Sequence, residues 1–270
     1  MLPVLVRSPW VVAMGTAIVD EVSGQRFMLG LGAGHKSVIE DRHGFTYDKP
    51  TQKMREVTEI VRRALTGDFV DFDGEAFRIK SVQLSLRPVR QNVPIYIAGI
   101  GPRVLELAGE VADGVFLIFP TERSIGSALN SVRTGAQRVQ RDPQKIDVVA
   151  YVFASVAANR DTAIASSRRT IAYFGRLAHY RSLFMQEGFV EEASALKEAW
   201  QSNDATRATR AVTDEMVATL SPSGTADDVA ARITRLFDAG LKQAVLFPFP
   251  AAEGGAKDAI IETIVSLSAA

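Results

Sequence analysis

Residues 95–114 read IYIAGIGPRVLELAGEVADG, and this stretch joins an apolar strand to an amphipathic helix through a glycine turn. Gly99 and Gly101 have no Cβ, so the backbone can turn sharply there and a ligand can approach it closely. Pro102 stands at the first helical position, where its fixed φ suits a helix and its missing N–H is not needed. The stretch therefore predicts a strand that ends in a tight turn and leads at once into a helix.

The start of this helix is expected to attract an anion. We expect the N–H groups of Arg103, Val104 and Leu105 to be unpaired, and the helix dipole adds positive charge at the same point. The Arg103 guanidinium could add a bidentate contact. A phosphate group is a typical ligand of such a site. The competing interpretation is a strand-to-helix turn that binds nothing.

A second glycine cluster, GLGAG at residues 30–34, also lies at the carboxyl end of a predicted strand. In parallel sheets and barrels, ligands bind at the carboxyl ends of the strands. The two glycine-rich strand ends, where few side chains block the backbone, could therefore hold one phosphate-bearing cofactor. The cluster is not a dinucleotide-binding fingerprint, because Lys36 and Ser37 follow His35 and no glycine stands at the third required place.

The rest of the chain alternates strands and helices, which predicts a parallel sheet with right-handed crossovers. A doubly wound sheet and a (β/α)8 barrel both fit this pattern. We expect one domain over residues 1–270, with a hairpin at about 69–79 signalled by Asp73-Gly74 and a helical insertion at about 161–220. The five strands expected in the sheet are residues 27–34, 95–100, 114–119, 146–157 and 243–249.

Composition excludes several classes of protein. Lys plus Arg and Asp plus Glu number 31 each among 270 residues, so there is no basic surplus for binding nucleic acid. The chain has no cysteine, which excludes disulfides and thiolate chemistry, and its three histidines make a histidine-rich metal site unexpected, so we predict no metal.

The apolar run WVVAMGTAIV at residues 10–19 is too short to span a bilayer, which needs about 20 residues. It fits a buried helix better, with Ser8 as the cap, Pro9 at the first helical position and Gly24 at the end. We therefore predict a cytoplasmic protein that is not bound to a membrane.

Three longer stretches carry a family resemblance: SPWVVAMGTAIVDEVSGQRFMLGLGAG at residues 8–34, PIYIAGIGPRVLELAGEVADGVFL at 94–117, and SGTADDVAARITRLFDAGLKQAVLFPF at 223–249. They resemble the luciferase-like monooxygenase superfamily. GPR and LAGEVADGV are particularly similar to its deazaflavin-dependent branch, the oxidoreductases that use coenzyme F420. Members of the superfamily that use flavin mononucleotide (FMN) share the same general sequence pattern.

The resemblance implies a (β/α)8 barrel with the flavin or deazaflavin across the carboxyl ends of the strands. It places Gly32, Ala33 and Gly34 near the ring or its side chain. It places the phosphate on Gly99, Ile100, Gly101, Pro102 and Arg103, and the Val104 amide of the anion site belongs to the same group. This agrees with the anion site expected from the residues alone.

His35 is the candidate catalytic residue, because it follows GLGAG at a strand end and histidine can donate or accept a proton near neutral pH. The resemblance implies an acidic residue at this place in some relatives. The alternative is a polar loop residue at the edge of the pocket. Glu40 and His43, on the same loop, are expected to shape the substrate pocket, while Tyr47 could stack on a ligand.

Five strands cannot close an eight-stranded barrel. The family pattern places strand three just before SPWVVAMGTAIV, so we expect strands one, two and most of three to be missing at the N-terminus. A start site placed too late, a truncated gene and a partner chain that completes the sheet would each explain this.

The leading hypothesis is an enzyme that transfers a hydride between coenzyme F420 and an unidentified small organic substrate. The alternatives are an FMN-dependent monooxygenase that uses dioxygen, and an inactive fragment or non-catalytic subunit. A homodimer, or pairing with a full-length homologue, would fit the family.

Overall fold

The computed structural model describes residues 1–249 together with Ile260, Ile261, Ile264 and Val265. Contacts divide the chain into two compact units. The first comprises Met1–Phe116 and Ala128–Val148, and the second comprises Leu117–Ser127 and the chain from Val149 onward. One partial barrel domain over the whole chain therefore stays a prediction.

The described strands are β1 (Leu2–Pro3), β2 (Leu29–Gly32), β3 (Val70–Asp73), β4 (Arg78–Val82), β5 (Ile95–Ala98), β6 (Gly114–Ile118), β7 (Asp147–Val156), β8 (Ser223–Gly224) and β9 (Gln243–Pro248). The described helices are α1 (Pro9–Val22), α2 (Pro50–Leu65), α3 (Pro102–Val111), α4 (Glu122–Arg138), α5 (Arg160–Phe174), α6 (Ala178–Gln186), α7 (Val190–Gln201), α8 (Ala205–Arg210), α9 (Asp214–Leu220) and α10 (Ala226–Asp238). No described helix combines the length and apolar character that a membrane crossing requires.

The sheet of the first unit is parallel, with the strands in the order β1-β2-β5-β6. Its strands are short and nearly continuously apolar, as is typical of parallel strands that are buried on both faces. Leu29, Leu31, Ile95 and Ile97 are accordingly buried. The crossover helices α1, α2 and α3 each begin at a proline, and α1 and α2 pack against each other.

The second unit contains a parallel set in which β7 lies between β8 and β9. The long apolar β7 pairs with β9 over six residues, Val149–Ala154. Helices α5 to α9 fill the segment predicted to be helical at about 161–220. Thr225 and Asp228 form a reciprocal capping box at the start of α10.

All five predicted sheet strands are present, as β2, β5, β6, β7 and β9, but the predicted number is too low. The structure adds β1 and β8, two residues each, which are too short to show a periodic pattern. The predicted α/β fold with a mostly parallel sheet is confirmed. The end of the sequence also predicts a final helix from about Lys257, and this segment lies largely outside the described residues.

The predicted hairpin is confirmed as the antiparallel pair β3 and β4, joined by residues 74–77. Two local predictions need correction. The Ser8 side chain makes no capping hydrogen bond, and only its carbonyl accepts, from the N–H of Val12. The sequence shows no regular pattern over residues 35–49 and so predicts a loop there, but Val38–Arg42 form a short π-helix.

Candidate cofactor-binding site

The two glycine-bearing strand tips lie side by side in the first unit. β2 pairs with β5 in parallel, and Gly32 is in register with Ala98. On the two outer sides, Pro3 of β1 pairs with Gly32 and Phe116 of β6 pairs with Ala98, so the four residues lie at the same level of the sheet. Because parallel strands end at one edge of the sheet, the backbone after Gly32 and the backbone after Ala98 emerge next to each other. The predicted meeting of these two tips is confirmed.

Gly99 and Gly101 have different physical reasons to be glycine. A Cβ on Gly99 would lie 2.3 Å from Val104 Cγ1, so this glycine is required for the turn to pack on its own helix. A Cβ on Gly101 would meet no atom within 4 Å, and its φ of −92° suits any residue. Packing therefore does not explain Gly101, and its bare, half-exposed backbone is open to a ligand.

The expectation of three free N–H groups at the start of α3 is wrong for two of them. Val104 and Leu105 both donate to the Gly101 carbonyl, at 3.1 and 3.2 Å. The bond from Leu105 is the first regular bond of the helix, and the bond from Val104 tightens the first turn. Within the described residues, the N–H of Arg103 has no acceptor. The Arg103 side chain is exposed, so it is free to reach an anion.

The tip of β2 is shaped by a residue that sequence reasoning missed. Gly34 has a φ of +73°, and a Cβ there would lie 2.9 Å from Ile39 Cδ1 and 3.4 Å from Pro3 Cβ. Ile39 is buried under this turn. Gly32 is buried, Ala33 is half-buried and Gly34 is exposed, so the tip opens progressively toward solvent. Only the apolar character of Ile39 in a polar loop could have indicated its role.

His35 follows this turn and is half-buried. Burial lowers the pKa of its imidazole below the usual value, so the neutral form dominates near pH 7. Its carbonyl accepts the N–H of Ile39 at 2.9 Å, which ties it to the π-helix. A π-helical turn is rare and is often found at functional sites. A neutral imidazole at this position can accept a proton.

The other predicted loop residues separate into two groups. Glu40 accepts a hydrogen bond from the N–H of Tyr47, at 3.3 Å, and it lies 3.9 Å from Lys36 Nζ. Burial raises the pKa of Tyr47, so its phenol stays protonated at physiological pH. His43 is exposed. The structure therefore gives Glu40 a role in holding the loop, while the role of His43 in a substrate pocket stays a prediction.

A comparison with known protein families now identifies the fold family. The model of the luciferase-like monooxygenase family matches residues 1–243. The chain belongs to the luciferase-like monooxygenase family. The predicted class of oxidoreductase is confirmed, and so is its barrel-type fold.

Similar proteins include two archaeal enzymes named 5,10-methylenetetrahydromethanopterin reductase. The one from Archaeoglobus fulgidus is 35% identical over 243 residues, which cover 88% of this chain and 72% of that protein. The one from Methanolobus tindarius is 31% identical over 242 residues, covering 88% and 73%. A solved structure of the coenzyme F420 dependent tetrahydromethanopterin reductase from Methanopyrus kandleri superposes with a TM-score of 0.83 at 25% identity, covering 95% of this chain and 78% of that one.

In this luciferase-like chain, Asp113 anchors β5 at the end of the strand opposite to the Gly99 turn. Its carboxylate accepts the N–H of Ile95 at 2.8 Å and a hydrogen bond from Arg62 at 2.8 Å. Its own N–H donates to the Ile95 carbonyl. Asp113 thus anchors the beginning of β5, the strand that carries the Gly99 turn.

The residues present fit a phosphate-bearing cofactor. The backbone at Gly101 has room on its open side, the N–H of Arg103 lacks an acceptor among the described residues, and the Arg103 guanidinium is exposed. These features are polar, positive and accessible, as a phosphate requires. The assignment of individual residues to ring or phosphate stays a prediction.

Proposed function

We propose that this chain is a coenzyme F420-dependent oxidoreductase that transfers a hydride between F420 and a small organic substrate. Two kinds of observation support the proposal. Relatives that are 31 to 35% identical carry the name of one reductase, and a related structure at 25% identity is described as coenzyme F420 dependent. The chain also places two open glycine tips side by side at the carboxyl edge of its sheet.

The observation that carries the proposal is the register of β2 and β5. Gly32 stands opposite Ala98, so the Gly32–Gly34 tip and the turn from Gly99 to Gly101 leave the sheet at one level. A planar ring with a phosphate on its side chain needs such a pair of sites, one bare surface and one anion-binding turn. In this proposal Gly32, Ala33 and Gly34 lie against the ring.

The anion-binding turn would hold the phosphate through backbone and side chain together. The residues concerned are Gly99, Ile100, Gly101, Pro102, Arg103 and Val104. Among them, the N–H and guanidinium of Arg103 are the donors, and Gly101 provides the close approach. Val104 contributes packing on Gly99 rather than a free amide, because its N–H already donates to Gly101.

When bound, a deazaflavin supplies the two-electron hydride chemistry. The protein then has to hold the substrate carbon against the ring and manage one proton. His35 is the residue of this chain that we assign to the proton, because it directly follows the ring-facing tip. Burial lowers its pKa, so the imidazole is in the neutral form at neutral pH, which is the form that can act as a base.

The names of the relatives suggest the first substrate to test, a one-carbon unit carried on a tetrahydropterin. Purified chain would be titrated with F420 and, separately, with FMN, following cofactor fluorescence. Reduced F420 and methylenetetrahydromethanopterin would then be mixed with the chain, following the formation of oxidised F420 by its absorbance. We expect saturable F420 binding and turnover of the pterin or of another small electrophile.

The FMN alternative predicts the opposite pattern of binding. Saturable binding of FMN without binding of F420, together with oxygen consumption, would replace the proposal by a monooxygenase. Binding of neither cofactor would remove both and favour the non-catalytic subunit. A cytoplasmic location also stays a prediction.

A further inference from the structure

The β2–α2 loop, residues 35–49, is held in one conformation by its own backbone. Five of its N–H groups donate to carbonyls of the same loop at 2.9 to 3.2 Å, and they belong to Ile39, His43, Gly44, Phe45 and Asp48. Gly44 has a φ of +71°, a left-handed conformation that glycine adopts without strain, so the chain can turn there. The backbone of the loop is therefore defined, and with it the direction of each side chain.

The loop has two large aromatic side chains, and their environments differ. Tyr47 is half-buried, and its N–H donates to Glu40. Phe45 is 51% exposed, although its own N–H is bound to the Ile39 carbonyl at 3.1 Å. The sequence favours Tyr47 as the ring that stacks on a ligand, whereas Phe45 is the more accessible ring in the structure. Binding residues are often found on loops that a rigid scaffold positions in this way.

Ile39 connects Phe45 to the glycine tip of β2. The Ile39 side chain packs under Gly34, where a Cβ would lie 2.9 Å from Ile39 Cδ1. The Ile39 carbonyl accepts the N–H of Phe45, and the Ile39 N–H donates to the carbonyl of His35. One buried residue thus holds together the tip, the candidate proton acceptor and the exposed ring. Phe45 is therefore fixed close to the place where the proposed reaction occurs.

Within this fully described loop, Phe45 is the one exposed apolar residue. The other exposed residues of the loop are Lys36, Ser37, Asp41, Arg42, His43, Gly44, Thr46, Asp48 and Lys49. An alkyl group is bound best by a concave apolar pocket, which a single ring among polar groups does not provide. A flat ring, in contrast, can stack on the phenyl face and form hydrogen bonds at its edges.

We propose that the Phe45 ring stacks on a planar, nitrogen-containing ring of the substrate and so selects that class of substrate. This inference rests on the proposed function, which places the cofactor ring at the Gly32–Gly34 tip. Phe45 is a specificity-determining residue in this proposal: it holds the substrate and takes no part in hydride or proton transfer. The polar groups around it are available to the nitrogen and oxygen atoms at the edges of the substrate ring.

Isothermal titration calorimetry of the purified full chain tests the binding role, with pterin as the probe, in the absence and in the presence of saturating F420. Phe45→Leu keeps an apolar side chain but removes the aromatic ring, so it should raise the dissociation constant of pterin by about fivefold. Phe45→Trp should restore wild-type affinity. Phe69→Leu is the matched control, because Phe69 is 67% exposed but lies just before β3, and it should leave pterin binding unchanged.

Two outcomes of this titration would overturn the proposal. One is a wild-type chain that binds pterin in neither condition. The other is a Phe45→Leu chain that binds pterin as tightly as the wild type does. Since Phe45 is exposed, we expect its replacement to leave the Tm unchanged, so that altered binding does not reflect loss of the fold.

Steady-state kinetics with reduced F420 and the pterin substrate separates this role from that of His35. An interaction that is equally strong in the ground state and in the transition state changes KM and not kcat. Phe45→Leu should therefore raise KM for the pterin by about fivefold and leave kcat within about twofold of the wild type. His35→Gln should lower kcat instead. A fall in kcat at unchanged KM in Phe45→Leu would contradict the stacking role.

Failure of this inference and failure of the proposed function give different results. A chain that binds pterin through Phe45 but does not bind F420 would contradict the proposed function and support the stacking site. A chain that binds and turns over F420 equally well with phenylalanine or leucine at position 45 would contradict the stacking site and support the proposed function.

Discussion

At the scale of single residues, Gly99 and Gly101 illustrate how two glycines in one turn can have different purposes. The space that a side chain on Gly99 would occupy is taken by Val104 of the same turn. Gly101 faces open space and adopts a φ that alanine tolerates. Packing gives no reason for a glycine at position 101, and its position at the start of α3 leaves the open side of the turn available to a ligand. This contrast between the two glycines can be measured.

Gly101→Ala should lower the free energy of unfolding by less than about 1 kcal/mol, because nothing contacts the added Cβ and the only cost is that alanine is a poorer N-cap than glycine. It should weaken F420 binding by about tenfold or more, because the methyl group occupies the open side of the turn. Gly99→Ala should instead destabilise the fold by about 1–3 kcal/mol through its clash with Val104.

Thermal denaturation and F420 titration of both variants separate the two effects. Gly126→Ala is the matched control, since a Cβ at Gly126 also meets nothing within 4 Å and Gly126 lies inside α4. It should leave F420 binding unchanged. Unchanged F420 binding by Gly101→Ala would contradict the placement of the phosphate at this turn.

The second prediction at the scale of single residues concerns the pH dependence that His35 gives to the activity. Because burial lowers its pKa, the imidazole is neutral at pH 7 and becomes protonated only as the pH falls through that lowered value. If it accepts the proton of the reaction, activity should be retained near neutral pH and lost on acidification below about 6.5. His35→Gln should reduce kcat by about 100-fold and flatten this acidic limb.

The measurement is a pH profile of kcat between about pH 5 and 8, with F420 binding determined at each pH. His43→Gln is the control, because His43 is exposed on the same loop. It should keep the wild-type profile. A profile that keeps its acidic limb in His35→Gln would remove His35 from proton transfer and leave it as a pocket-edge residue.

At the scale of elements, a single carboxylate joins α2 to the β3–β4 hairpin. Glu56 is 2% exposed and accepts the N–H groups of Glu75, Ala76 and Phe77 at 2.8 to 3.1 Å, together with Gln52 Nε2 at 2.8 Å. A Cβ on Gly74 would lie 2.4 Å from Glu56 Oε2, so the absence of a side chain at Gly74 leaves room for the carboxylate. The hairpin turn is therefore closed by a residue about twenty positions earlier.

Glu56→Gln should destabilise the first unit by about 3 kcal/mol, since an amide nitrogen would face backbone donors and buried bonds to a charged acceptor are each worth about 1.5–3 kcal/mol. Urea denaturation followed by circular dichroism measures the change. Glu59→Gln, on the same helix and half-buried, is the control and should change stability by less than about 0.5 kcal/mol. Equal stability of the two variants would refute the role of Glu56 in closing the hairpin turn.

The same residue predicts a pH dependence of stability. Burial by itself raises the pKa of Glu56, but the hydrogen bonds from Gln52 and from the three N–H groups outweigh it, so the folded pKa lies below the usual 4.5. A carboxyl whose pKa is depressed by folding stabilises the fold above its unfolded value. This contribution is lost as the pH falls below 4.5 through the folded pKa. In Glu56→Gln that part of the acid sensitivity should be absent.

At the scale of the whole molecule, cofactor binding would couple to the stability of the fold. Only the folded chain places the Gly32–Gly34 tip beside the Gly99–Gly101 turn, so bound F420 should stabilise the folded state, by about 2.7 kcal/mol at a hundredfold excess over its dissociation constant. The Tm of the wild type should rise with F420 concentration, and Gly101→Ala should need about ten times more F420 for the same rise. Calorimetry over a range of F420 concentrations compares the two chains, and a wild-type Tm that does not respond to F420 would speak against the proposed function.

Much of the fold and part of the site could be read from local sequence. The strands β2, β5, β6, β7 and β9, the helices between them and the two glycine tips are all indicated by patterns within a dozen residues. Periodicity and glycine or proline chemistry act over that range. Three long stretches of the sequence resemble the luciferase-like family closely enough to indicate membership by themselves.

Other features were decided only when distant residues came together. β1 and β8 form by pairing and are too short to leave a pattern. The Val104 amide is occupied by the Gly101 carbonyl, Ile39 packs under Gly34, and Glu56 closes a turn twenty residues away. The chain order of strands, helices and glycines follows from short-range stereochemistry. Which backbone groups remain free for a ligand depends on contacts between segments far apart in the chain, and those exist only in the folded protein.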